Sequence, residues 1–183
     1  MTYGSTKNSP GFILNDGGRT EAGFRNKATV GDCVARAIAI ASGRTYREVY
    51  DALAAGNASQ RGRKAAKGAR SASHGIFTRR KWFKNYMQSL GFEWIATMGI
   101  GTGCTVHLDA EELPAGRLVI MVSKHATAMI DGIIHDAYDP RWISETCRPD
   151  DGGELAPGEW RNVNGIWRSS KRCVYGYWRL ADG

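Results

Sequence analysis

Between residues 117 and 140 the chain carries two apolar runs joined by Asp131-Gly132, and no other stretch constrains its fold so tightly. Asp-Gly readily adopts the positive φ angles of a two-residue hairpin turn, and so short a loop sets the strand register. Ile130 is then expected opposite Ile133, Met129 opposite Ile134, Thr127 opposite Asp136 and His125 opposite Tyr138. Facing residues share a side of the sheet. His125, Thr127, Met129, Ile134, Asp136 and Tyr138 are therefore expected on one face, with His135 and Asp139 on the other. A carboxylate diagonal to an imidazole can accept its second ring N–H and hold one tautomer, which makes Asp136 the expected partner of His125. The alternative is Asp139, whose Asp-Pro setting could lie beyond a bulge that swaps faces.

A second segment places a cysteine where such a histidine could use it. Gly31-Asp32 reads as a turn and cap, Cys33 follows in the first helical turn, Val34, Ala37, Ile38 and Ala41 recur at helical spacing, and Gly43 supplies the stop. Unpaired N–H groups and the positive dipole end at a helix start favour an anion, so a thiolate is better held there than in mid-helix. A small buried hydrophobe is the competing reading of Cys33, since free cysteines are among the most buried residues. Paired with His125, however, Cys33 becomes a candidate nucleophile with the imidazole as its base.

The order of a helix-start Cys, a strand-start His and a polar residue on the next strand with an aromatic two positions later resembles the papain-like cysteine peptidase superfamily. Asp136-Ala-Tyr138 stands where papain-type enzymes have Asn-Ser-Trp, and Asp139-Pro140 is similar to the Asp-Pro of the bacteriocin-processing cysteine peptidases. More closely, the segments 31–43, 125–136 and Cys173-Val-Tyr-Gly-Tyr-Trp178 resemble an uncharacterised group of small bacteriophage and bacterial proteins, over residues 15 to 178. The resemblance implies a phage-encoded hydrolase or acyl transferase acting on a peptide, amide or isopeptide bond through a Cys33–His125–Asp136 triad, and it brings no assigned substrate. One departure is plain. Papain-type enzymes place a Gln shortly before the nucleophile, whereas this chain has Gly23-Phe-Arg-Asn26-Lys27 there. Asn26 is the candidate side-chain donor to the oxyanion, with the Cys33 backbone N–H as the second donor, although an Asn before a turn also serves simply to form it.

Around the site the layout is helices first and a sheet afterwards, an α+β arrangement. With the resemblance it becomes a papain-like minimal domain over residues 25–183, N-terminal helices packed on a C-terminal antiparallel sheet. Residues 1–24, rich in Gly, Ser, Thr and Asn, are expected as a poorly ordered or loosely docked arm. Thr45-Tyr-Arg-Glu48 is a capping box opening a second helix through about residue 55. Residues 56–75 read as a flexible basic loop. Thr78 is expected to cap a third helix over 79–90, with Trp82, Phe83, Tyr86, Met87 and Leu90 as its apolar stripe. Strands are expected at 92–98, 117–122, through the hairpin, and at 173–180.

Composition narrows the chemistry. At 183 residues and 42% hydrophobic the chain can bury one core, and no run is long and apolar enough to span a bilayer. The first residues lack a signal-peptide core, so the cytoplasm is the expected location, that of the host if phage-encoded, with a virion role left open. Four reduced cysteines are expected there, and a Cys147–Cys173 disulfide only in an oxidising compartment. No cofactor or metal is expected: Gly99-Ile-Gly-Thr-Gly103 lacks the residues of a phosphate loop, and Cys104-Thr-Val-His107 has no second ligand pair.

The formal charge is +7, and between residues 52 and 92 Arg61, Arg63, Lys64, Lys67, Arg70, Arg79, Arg80, Lys81 and Lys84 occur without one acidic residue. This stretch suits an acidic protein or peptide substrate, or a phosphate backbone with Trp82 as a stacking partner, or no more than a solvated basic face. The rival to a hydrolase is therefore a basic nucleic-acid- or protein-binding module with a vestigial site.

Overall fold

A computed structural model of the chain describes residues 11–24, 31–59, 71–73, 75–141, 160–162, 165–167 and 172–181. The elements run β1 (Phe12–Leu14), α1 (Cys33–Ser42), α2 (Tyr46–Ala58), α3 (Lys81–Ser89), β2 (Phe92–Ala96), β3 (Arg117–Val122), β4 (His125–Ile130), β5 (Ile133–Asp136), β6 (Trp160–Asn162), β7 (Gly165–Trp167) and β8 (Val174–Leu180). Six of the strands form one sheet in the order β1-β5-β4-β3-β8-β2, and β6 and β7 pair separately.

The hairpin sets the centre of this sheet. Ile130 pairs with Ile133, Met129 with Ile134 and Ala128 with His135, and Asp131 and Gly132 take the φ angles of 48° and 80° that the tight turn demands. β3 is buried on both faces, which explains its unbroken apolar run Leu118-Val-Ile in place of alternation. On one face Val119, Ala126, Ala128 and Trp178 meet the three helices; on the other Leu118, Ile120, Met129 and Ile134 meet Phe12, Leu108 and Leu113. Helix α1 is buried along almost its whole length. Its alanines and those of β4 let helix and strand approach closely. Gly43 ends it at φ 71°, its N–H bonded to the Ala39 carbonyl.

Several expectations change. Residues 12–14 are an edge strand lying parallel to β5, so the sheet is mixed, not purely antiparallel, and Arg19 is buried; residues 11–24 are part of the domain and no loose arm. The capping box of α2 forms as expected, but the helix continues past Gly56 to Ala58. Glycine is tolerated inside it because the Trp82 indole occupies the space a Cβ would fill. Helix α3 begins at Lys81, two residues later than expected, with Arg80 and not Thr78 at its cap position. In β8 a bulge places Met121 opposite Gly176 and Val122 opposite Val174, leaving Tyr175 extra. A Cβ on Gly176 would stand 2.7 Å from the Ile95 carbonyl and inside the Trp94 ring, so only glycine lets that tryptophan lie across the strand.

The Gly56 packing gives an inverted prediction. Gly→Ala normally stabilises a helix interior by about 1 kcal/mol. Here Gly56→Ala is expected to destabilise by about 1–3 kcal/mol, because the indole must move. Urea unfolding checks the sign.

Candidate active site

Cys33 is the first residue of α1, His125 the first of β4 and Asp136 the last of β5. These three ends lie together at one end of the sheet. The entry to α1 is tied down by Gly31, whose N–H donates to the Ser73 carbonyl at 2.8 Å and whose carbonyl accepts from Gly75 N–H at 3.0 Å. His125 follows a two-residue turn, since Val122 pairs with it directly. Met129 and Ile134, expected on one face with the site, pack in the cluster that also holds Val122, the residue paired with His125. His125 approaches Cys33 from the start of its strand, beside the start of the helix, and Asp136 reaches the imidazole from the end of the next strand.

The imidazole is held from both sides. His125 Nε2 lies 2.7 Å from Asp136 Oδ2, and the Tyr138 hydroxyl lies 3.1 Å from Nδ1. With Nε2–H donated to the carboxylate, Nδ1 is the ring nitrogen that faces the Tyr138 hydroxyl, and His125 and Cys33 line the same cleft close enough for their charges to interact. Asp139, the alternative orienter, is bound by Arg141 at 2.7–3.2 Å and makes no bond to His125.

The charges favour an ion pair. Burial of Cys33 would push its thiol pKa up, but the hydrogen bond and charge of His125, the Ala126 N–H and the charge of Arg36 outweigh it and leave the pKa below its usual value. Burial of His125 would lower its pKa, yet the bonds to Asp136 and Cys33 raise it to about 9. Thiolate and imidazolium are thus both stabilised near neutrality.

Behind this trio lies a chain of buried charges that the sequence reading missed. Asp136 Oδ1 accepts from Ala137 N–H at 2.7 Å and from Arg36 at 3.5 Å; Arg36 also binds Asp32, which accepts from Arg19 Nε at 2.7 Å and from the Tyr46 hydroxyl at 2.6 Å. Asp32 holds the cap position of α1, as expected, but its side chain caps nothing because these partners occupy it. A signal was present: Arg36 stands alone in Val-Ala-Arg-Ala-Ile-Ala-Ile, four residues after an aspartate.

Other expected residues fall elsewhere. Asn26, Arg61, Arg63, Lys64, Lys67, Arg70 and Cys147 lie outside the described residues. Arg79, Arg80 and Lys81 are exposed around the start of α3, Arg80 lying over the Phe77 ring. Trp82 packs against Gly56 instead of standing free to stack on a base. The four cysteines are not all reduced thiols: Cys104 and Cys173 are disulfide-bonded, with Cα atoms 5.7 Å apart. The strand-like pairing of His107 with Cys173 brings them together, a contact with no local sequence signal. Among the described residues Cys33 alone is a free thiol, and no cluster suited to a metal ion occurs. His107 instead faces Glu112 at 3.1 Å. No described helix is long and apolar enough to cross a membrane.

A cleft of about 900 Å³ opens beside Cys33 and His125. No family model, curated protein or solved structure matches the chain.

The ion pair predicts how Cys33 reacts. Iodoacetamide at pH 7 should alkylate it faster than the same thiol in denatured chain, with the rate persisting to pH values at which an ordinary thiol is protonated. His125→Ala should restore an ordinary thiol profile. A rate that follows the denatured chain, or ignores the His125 change, contradicts the assigned electrostatics. Peptide mapping identifies the alkylated residue.

Proposed function

We propose that the chain is a cysteine-dependent hydrolase acting on a peptide, amide or isopeptide bond. The observation that carries this reading is the pairing of Asp136 Oδ2 with His125 Nε2 at 2.7 Å, with that imidazole lining the same cleft as the free thiol of Cys33 at the start of α1. A buried carboxylate, an imidazole of raised pKa and a free thiol of lowered pKa at a helix start are the parts that nucleophilic acyl chemistry requires.

In the proposed reaction the Cys33 thiolate attacks the carbonyl carbon, forming a C–S bond as the carbonyl π electrons move to oxygen. The backbone N–H of Cys33 and the Asn26 side chain are the candidate donors to that oxyanion. His125 gives its Nδ1 proton to the departing amine as the C–N bond breaks. It then takes a proton from water, whose oxygen attacks the thioester; the C–S bond breaks and the thiolate returns. Asp136 keeps the imidazole oriented and stabilises its charged form. An amine in place of that water would make the same residues an acyl transferase.

Turnover should rise with pH as Cys33 loses its proton and decline near pH 9 as His125 loses the one it must donate. Incubating a proteome-derived peptide library with the protein, and with Cys33→Ala, should yield new termini or deamidated products only with the former. Asp136→Ala is expected to reduce that yield by about 10²-fold or more and to move the alkaline limb to lower pH. Asp139→Ala should do far less, its carboxylate being engaged by Arg141. Absence of any Cys33-dependent product would falsify the hydrolase reading, and greater damage from Asp139→Ala would reassign the orienting residue.

A further inference from the structure

The cleft beside Cys33 has a lining of unusual chemical balance. Trp94, Met98 and Ile100 form an apolar wall, and all three are exposed, Ile100 completely. Exposed side chains of this size grouped beside a reactive thiol are a binding surface more often than an accident of packing. The wall is also built, not merely uncovered. Trp94 lies over Gly176, where any Cβ would collide with it, and its ring is 5.2 Å from that of Trp178, also in the lining.

The rim is cationic. Arg79, Lys84 and Lys124 border the cleft, and among the described residues no Asp or Glu does and none of the three makes an ion pair. Two further features raise this positive field. Arg79 and Lys84 flank the start of α3, whose first turn has no acidic residue, so they add to the positive end of its dipole where carboxylates would normally be favoured. Lys124 adopts a left-handed φ of 56°, a conformation that glycine takes at lower cost, in the turn directly before His125.

We infer that this cleft binds an extended, acidic peptide segment that places a bulky apolar side chain against Trp94, Met98 and Ile100 and carboxylates against Arg79, Lys84 and Lys124. A space of about 900 Å³ holds a few residues, enough to bring a neighbouring carbonyl to Cys33. A phosphate backbone fits the rim and one base could stack on Trp94, but Met98 and Ile100, the rest of the wall, offer no ring to continue the stacking, whereas an apolar side chain suits all three. The inference deepens the hydrolase proposal by naming its substrate class, and its binding step can be measured without catalysis.

The test uses full-length Cys33→Ala protein and fluorescent ten-residue peptides read by anisotropy in about 50 mM salt, where charges are little screened. An acidic peptide with one central Phe should bind about tenfold or more tightly than its Lys counterpart or the acidic peptide with Ala replacing Phe. Rising salt should erase the charge preference and leave the Phe preference. Arg79→Glu with Lys124→Glu should reverse the first. Lys124→Gly, favoured by the backbone at that turn, should keep the melting temperature and weaken the acidic preference, separating charge from folding.

Equal affinity for the three peptides, or tighter binding of a ten-nucleotide oligothymidine, overturns the inference. If the wild-type protein cleaves peptides without regard to acidic or apolar residues, the inference fails while the hydrolase proposal stands. Selective binding by Cys33→Ala with no Cys33-dependent product from the wild type leaves the inference standing and removes the hydrolase.

Discussion

A buried line of alternating charges ties the molecule together: Arg19, Asp32, Arg36, Asp136, His125 and Cys33. Burying one such group alone would cost several kcal/mol, roughly, and the group would discharge instead. Arranged with opposite signs adjacent, each charge supplies what its neighbour lost on leaving water. The line joins the segment after β1, the start of α1, and the facing ends of β4 and β5. Tyr46 connects α2 to it through Asp32, and its own ionisation is pushed well upward by burial and by that carboxylate. Docking of residues 11–24 is thus explained by the requirement of Asp32 for Arg19 as much as by strand pairing.

How much of this was legible depends on the range of the interaction. The Asp131-Gly132 turn, the Thr45–Glu48 box and the Gly43 stop are local, and residues a few positions apart dictate them. The meeting of His125 with Asp136 follows from hairpin register, so it too could be read along the chain. Contacts between distant segments left weaker traces. Arg36 and Asp136 are 100 residues apart, Cys104 and Cys173 are 69 apart, and Gly56 owes its place in a helix to an indole from the next one. β1 was hidden for the same reason: an edge strand of three residues owes its existence to the strand it joins.

The two sides of the proposed site differ in construction. His125 and Asp136 are buried and engaged with each other, while the Cys33 thiol is half-buried at the edge of the cleft. The cleft in front is open, apolar and rimmed by cations with no partners among the described residues. Groups that must keep an angle to one another are fixed by packing; groups available for an incoming chain are left solvated. Gly176 marks the junction, since the bulge at this position both ends the regular pairing of β3 with β8 and makes room for the Trp94 wall.

Arg36 deserves a role distinct from that of a structural tether. It touches Asp136 at 3.5 Å, while His125 approaches the same carboxylate at 2.7 Å, so the imidazole is the dominant partner and the guanidinium a more distant one. At that distance its charge stands beside the carboxylate without displacing His125. The same charge favours the Cys33 thiolate. One cation therefore supports both anions that flank the imidazole, from a position that bonds only one of them. Without it, the carboxylate and the thiolate would compete for the single positive charge of His125. With it, the group of Cys33, His125 and Asp136 can hold two negative charges and one positive in a nearly dry pocket, the second positive charge being supplied from the helix that also presents the thiol.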